Sequence, residues 1–553
     1  MRPVSLWCPH SSKYIRAGVG PHSHLAAVSD AVSAWESFVL DDFGASSVTV
    51  QSLWSERFVR AGVGPDSHLA AVSSHIGGWE TFKLIELGGG KSALQSTHSG
   101  KYVRAGVGPD SHLAAVSDHI DAWETFELRD SAWRPDFRHP DAHMTGIRTV
   151  RGSKPVLTVL VDYPDQPISD HNVASADGVG AYTANSFTTM LFGPRPSVRD
   201  WFEQNSYGAF TITNAGVVGW LRDNRAFGDR VNPAPGTYRA TNQYRVARTR
   251  AVQLADAQVN FAQFDTDGDG VVTPEDLSII VVYSHGEHWT VPGGLVRPIN
   301  AFTTADGVYL GDHKSASLFK GVAEMYLHAP MSKYIHELCH LLLHLEDLYA
   351  DVPAGIVGRA SDYSIMDDDW NYRHLDPWSK MNVGWVRPRV IFGSEAVTLR
   401  AIEEHGDVAL LYEPAHGRQE FFLVENRWPG TSYDAGIPGG IPTLVPGPAQ
   451  NETTSAGIAD AGLAVWHVDH GSKWQDDNTN GRRALRLVTR DGSWPIASAT
   501  ALWDASEPGA GYDLTTSSSP ADTCWADGST NAIRVANIPS AGPVVTVTVS
   551  NEG

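Results

Sequence analysis

The 553-residue chain carries 63 acidic and 42 basic side chains, for a formal net charge of -21, and 42% of its residues are hydrophobic. That length exceeds one ordinary core, so about two to four domains are expected, and the acidic balance argues against the Lys and Arg stripes that a nucleic-acid backbone requires. Cys8, Cys339 and Cys524 are too few for a disulfide framework; no run approaches the ~18 apolar residues of a membrane span, and the apolar start stops at Pro9, short of a secretory signal core.

The first 130 residues repeat. KYIRAGVGPHSHLAAVS from Lys13 returns from Arg57 and again from Lys101, a period of 44 residues. Each copy then reaches a Trp, a Glu and a Phe: Trp35, Glu36, Phe38; Trp79, Glu80, Phe82; Trp123, Glu124, Phe126. Every copy reads as four short strands, in the third near SALQS, KYVRAG, LAAVS and TFELRD. Three copies are too few for a closed propeller and suit a threefold β-trefoil over 1–130. The RAG stretch and the later WExF resemble fascin-type β-trefoil repeats. The resemblance implies a binding module for a filament, a glycan or a protein. The repeated Trp, Phe and Leu are expected to close the core. His24, His68 and His112 read as turn or surface residues, although threefold symmetry could also bring them to one axis.

A polar linker, 131–150, leads to a segment of mixed character, 151–389. PVLTVLVDYPD from Pro155 and LSIIVVYSHG from Leu277 read as buried strands. SVRDWFEQNS from Ser197 and the stretch from Tyr244 read as helices, giving an α/β or α+β domain. After the second helix FDTDGDGVVTPED places Asp265, Asp267, Asp269, Thr273 and Asp276 at ligand positions of an EF-hand-type calcium loop. Val271 would give its carbonyl, and the calcium would be structural.

YIHELCHLLLHLEDLY, Tyr334 to Tyr349, reads as a helix. His336 and His340 are four apart and share a face on which both can hold one zinc. Glu337 stands beside them. Zinc lowers the pKa of water it binds toward ~7, and a neighbouring carboxylate can take the proton. A third ligand is needed. His344 lies about 12 Å along a straight helix from His336, too far to share an ion. Glu346 and Asp347 remain, and either requires the chain to turn back after Leu343.

This HELCH segment, with LTVLVDYPDQP, the stretch from Leu191 through VVGW, FDTDGDGVV and EFFLVENRWPG through WHVDH, resembles the metzincin-like immune inhibitor A family of secreted zinc metalloproteases. The resemblance runs over about residues 150–550. It implies protein or peptide substrates, secretion, and a methionine turn beneath the zinc, here Met366. Aligning DLY makes Asp347 the acidic ligand; counting with metzincin spacing favours Glu346. Leu343 stands where the family has Gly. No Tyr follows Met366 by two, and Tyr372 is the stand-in for a catalytic phenol.

Beyond Pro388, AVTLRAI, DVALLYE, EFFLVENR, GLAVWHVDH, RALRLVTRDG and VVTVTVS alternate as strands of a β-sandwich over 390–553. Two functions follow. One is a zinc-dependent endopeptidase targeted by a β-trefoil. The other is a catalytically inactive protease-like protein that binds through the trefoil.

Overall fold

The computed structural model describes residues 2–44, 47–131, 137, 149–170, 182–229, 232, 234–284, 296–348, 350–352, 355–357, 363–367, 372–430, 432–435, 460–471, 485–490, 501–505, 513–518 and 523–552. Most of the linker, and the stretch between Ala435 and Asp460, lie outside them. The described chain is mostly strand, arranged in several sheets with few helices.

Each amino-terminal repeat forms four strands. In the third these are Lys91–Ser96, Tyr102–Val107, His112–Ser117 and Phe126–Asp130. All twelve join one sheet, and Arg2–Cys8 pairs with Phe126–Asp130 to link the first repeat to the last. At one end the three inner hairpins meet in a ring, His24 opposite Ala70, His68 opposite Ala114 and His112 opposite Ala26. This pairing is β-trefoil-like: three four-stranded units about a pseudo-threefold axis. Ile15, Leu25, Phe38 and their counterparts fill the core.

The tryptophans differ from expectation. They lie half-buried against the outside of that core. Gly18 has φ +74, and a Cβ there would come 2.1 Å from the Trp35 ring. Gly62 and Gly106 stand in the same relation to Trp79 and Trp123. The Arg16 guanidinium lies 5.5 Å from the Trp35 centroid and 3.6 Å from Glu36. Glu36 is buried, and its other oxygen accepts the Ser33 N–H at 3.0 Å. The RAG…WE spacing therefore encodes a stacked Gly–Trp–Arg–Glu brace made three times.

In the central segment, the β-branched run Gly152–Asp162 pairs in parallel with Phe210–Arg222 on one side and Ser278–Tyr283 on the other; Val322–Tyr326 completes four parallel strands. Both faces are covered, which is why these strands read as continuous apolar runs. Val156, Leu160, Ile280 and Met325 face helices Ala184–Phe192, Val198–Asn205 and Met331–Leu338. Leu157, Val159, Ile279 and Val281 face helix Tyr244–Ala255. Arg248 of that helix reaches buried Glu324 at 3.2 Å, and Tyr283 donates to the same carboxylate at 2.8 Å.

The carboxy-terminal strands form two sheets. Arg389–Val390, Val408–Leu411, Glu420–Arg427, Gly462–Asp469 and Leu485–Leu487 make the larger. Ser394–Arg400, Val544–Ser550 and Arg534–Ala536 make the smaller. Phe422, Val424, Val465 and Val547 pack between them. The outer face of the larger sheet carries Phe421, Leu423, Trp466 and Val468 into the same core as Tyr334, Ile335 and Met366. Gln51 donates to the Pro414 carbonyl at 2.7 Å, tying the repeats to this part.

Arg427 is fully buried, 2.7 Å from Glu425 and 2.9 Å from Asp434. Burial pushes Glu425 up against the pull of Arg427. Removing the guanidinium leaves two buried carboxylates uncompensated, so Arg427→Met lowers stability by about 3–5 kcal/mol in urea unfolding. Arg400→Met, which breaks an exposed pair with Asp407, is expected to leave the urea midpoint unchanged.

Candidate metal centre

The helix that opens at Met331 runs as α-helix to Leu338 and continues as a π turn over Cys339–Leu343. It stops there, short of the Tyr349 end expected from composition. The cause is His344, whose φ of 56° and ψ of 34° are left-handed. His344 N–H still reaches the His340 carbonyl at 3.2 Å, and Leu345 N–H the Cys339 carbonyl at 3.4 Å. Histidine tolerates this region better than a β-branched residue does. The reversal that a Gly at position 343 would ease is made one residue later, by a side-chain-bearing residue.

The turn carries Asp347 back over the helix. Its Oδ1 stands 3.0 Å from His336 Nε2 and 3.1 Å from His340 Nε2, and the two Nε2 atoms are 3.0 Å apart. Glu346, the other candidate, is half-buried and outside this group. The opposite ring nitrogens are engaged. His336 Nδ1 lies 2.8 Å from the Ile365 carbonyl, and His340 Nδ1 lies 2.5 Å from the Leu345 carbonyl. Both carbonyls can only accept, so each Nδ1 carries a proton, and a ring in its neutral form would present an Nε2 lone pair toward Asp347. Three acceptors then face one another at about hydrogen-bond distance, and a cation resolves the conflict. Ligands of one zinc stand about 3.3 Å apart, so the donor set and spacing fit zinc. The same demand for positive charge shows in titration. Burial opposes charge on His340, yet Asp347 raises it to about 9. Burial would raise Asp347, but the two imidazoles hold it well below the usual carboxylate range.

Glu337 is 3% exposed and its Oε1 is 3.2 Å from Lys333 Nζ, one turn earlier. Lys333 was not singled out in the sequence; its i, i+4 spacing to Glu337 was the available signal. Met366 is fully buried in the turn Ser364–Asp367. Its carbonyl accepts the Leu348 N–H at 2.9 Å, while its neighbour Ile365 orients His336, so this turn underlies both sides of the centre. Ser364 donates to Asp376 at 2.9 Å and holds the turn in place. Tyr372 is placed in the hydrophobic core, 1% exposed, with its ring 6.4 Å from that of Tyr433. The chain just after it is drawn inward, because His374 N–H bonds Asp434 and Leu375 N–H bonds Asn205. Cys339 is buried, and burial pushes its thiol well up.

The acidic loop forms a second group. Asp265, Asp267 and Asp269 each bring a carboxylate oxygen within 4.8 Å of the others. Asp265 accepts from Asp269 N–H and Gly270 N–H, which winds the loop around its own carboxylates. Val271 begins a two-residue strand, and the carbonyls on either side of it bond Tyr309 and Gly311, so the Val271 carbonyl points the other way. Asp276 does not join the group; its Oδ2 accepts from Thr273 N–H at 2.9 Å and Thr273 Oγ1 at 2.7 Å.

No known family's profile matches the chain, and no curated protein matches it. Solved structures that match include a designed threefold-symmetric protein, ThreeFoil, at 17% identity and a TM-score of 0.22, covering 23% of this chain and 99% of that one. The SDF2-like protein from Arabidopsis thaliana matches at 8% identity and 0.21, over 24% of this chain and 94% of its own. A BEL β-trefoil matches at 9% and 0.21, over 24% and 93%. These β-trefoil-like neighbours concern the amino-terminal region. The threefold arrangement described above rests on this chain's own strand pairing.

A left-handed residue at 344 sets the third corner of the centre. His344→Val, β-branched, lowers the melting point by the equivalent of about 1–2 kcal/mol relative to His344→Gly, measured by thermal unfolding of the two variants side by side.

Proposed function

We propose that this chain is a zinc-dependent endopeptidase related to the metzincin-like immune inhibitor A proteases. His336, His340 and Asp347 would hold the ion, Glu337 would be the general base, and the repeats would be a fascin-type binding module. The observation that carries the reading is the triangle of three acceptor atoms, with a buried carboxylate next in sequence on the same helix. When bound, zinc supplies Lewis acidity to a substrate carbonyl and to water. Glu337 takes a proton from water and returns it to the leaving amine as the peptide C–N bond breaks. Its Oε1 faces Lys333, so Oε2 is the atom that receives the proton. Ile365 and Leu345 carbonyls keep both imidazoles in the tautomer that presents Nε2.

The loop at Asp265, Asp267 and Asp269, with the Val271 carbonyl, is proposed as a structural calcium site. Secretion, protein or peptide substrates, and a filament, glycan or protein ligand for the repeats belong to the same proposal.

A second reading, a catalytically inactive protease-like binding protein, is favoured by one observation. The Lys333 ammonium lies 3.2 Å from Glu337 Oε1 in a nearly closed environment, so one of the two carboxylate oxygens is already engaged.

Glu337→Gln separates these readings. Cleavage of unfolded casein is expected to fall about 10²–10⁴-fold while zinc content by mass spectrometry and the melting point stay unchanged. Equal cleavage by the variant sinks the endopeptidase reading; a wild-type chain that holds zinc and never cleaves supports the second. For the loop, calcium at about 100 times its Kd adds about 2.7 kcal/mol of stability. That rise in melting point should be lost in Asp267→Asn, and its absence in the wild type argues against the site.

A further inference from the structure

Among the described residues a third group of side chains can converge on an ion, far in sequence from the other two: His24, His68 and His112. We propose that these three imidazoles form a second transition-metal site, on the pseudo-threefold axis of the repeats, for a divalent ion of the zinc, cobalt, nickel or copper type.

The geometry is threefold. Ring centroids are 4.7 Å apart for all three pairs, and the rings meet edge-on at 61°, 70° and 65°. One ring nitrogen from each lies within 4.8 Å of the other two. Three nitrogens bound to one ion at about 2.0–2.1 Å stand about 3.4 Å apart. The rings therefore need close by no more than about an ångström or so, which small turns about the soft imidazole χ2 supply.

The scaffold holds them there. Each histidine follows a serine in the left-handed region: Ser23, Ser67 and Ser111 all have φ 53°. Each serine carbonyl accepts a backbone N–H from the neighbouring repeat, Ala71 from Ser23, Ala115 from Ser67 and Ala27 from Ser111, at 3.0–3.2 Å. This ring of three bonds fixes the histidine backbones about the axis. The left-handed region disfavours residues that carry a side chain, so the arrangement is costly three times over.

The chemistry asks for a partner. His112 Nε2 is buried and has no hydrogen-bond partner, and a buried polar atom left so is destabilising. Burial, and then the neighbouring imidazoles, hold His24 and His112 below the ordinary histidine range, so both present neutral lone pairs. Apolar side chains would close the axis without this conflict. Imidazole is a ligand for zinc, copper and nickel rather than for calcium or magnesium. At the exposed rim, two residues before each histidine, stand His22, Asp66 and Asp110. The His22 ring is 5.6 Å from His24, and the two carboxylates favour a cation. His68 and His112 are only half-buried, so solvent reaches the group.

The test uses the full chain with His336→Ala and His340→Ala, which removes the other candidate centre and makes the outcome independent of the protease reading. After zinc loading and desalting, one zinc per chain is expected by mass spectrometry. Titration with cobalt alone is expected to give a visible ligand-field band that saturates at one equivalent. Adding His68→Ala and His112→Ala should abolish both. A folded double variant, checked by circular dichroism, that retains no zinc and gives no cobalt band overturns the proposal. So does zinc retention that is unchanged after the trefoil histidines are replaced. Should the further substitutions unfold the repeats, the cobalt titration of the double variant decides the matter.

Discussion

Arg427 is a fully buried cation, and the centre of the molecule is arranged so that it can remain charged. Glu425 and Asp434 meet its guanidinium at 2.7 and 2.9 Å. Asp434 also accepts the backbone N–H of His374. Two residues on, Asp376 caps helix Pro377–Asn382 and holds Ser364, the first residue of the turn that contains Met366. Lys380 of the same helix reaches Tyr207 at 3.0 Å and His374 at 3.2 Å. Burial pushes the Lys380 ammonium down, to about 8. The carboxy-terminal sheet thereby reaches the floor of the candidate metal centre through a short series of buried polar contacts.

That floor matters because the helix alone cannot build the centre. An i, i+4 pair of histidines offers two nitrogens and no preferred tautomer. The tautomer comes from two carbonyls on different segments, Ile365 from the braced turn and Leu345 from the chain after the reversal. The third atom comes from Asp347, and its position depends on the conformation of His344. Each part is modest alone; together they leave three acceptor atoms pointing at one place.

The amino-terminal repeats solve a different problem by symmetry. A single copy cannot bury Phe38 or Leu25, but three copies close a common core. The Gly–Trp–Arg–Glu brace repeats on the outside, and the histidines meet at one end. A residue that is unremarkable in one repeat gains chemical meaning when three copies lie about an axis.

Much of the fold was legible in the sequence. The 44-residue period, the strands of each copy and the long apolar runs at Gly152–Asp162 and Ser278–Tyr283 follow from hydrophobic spacing and turn residues, which are local properties. The shared face of His336 and His340 follows from helical periodicity. The sequence left Glu346 and Asp347 open, because the choice rests on one left-handed residue with no glycine to announce it. It expected the tryptophans in the core, because hydrophobicity does not reveal that a ring lies over a backbone glycine. Lys333 beside Glu337, the buried knot at Arg427 and the meeting of His24, His68 and His112 join residues of separate segments or fix charges by burial. Periodicity is written along the chain, whereas the partners of a buried charge or a metal ligand are decided only when distant segments are brought together.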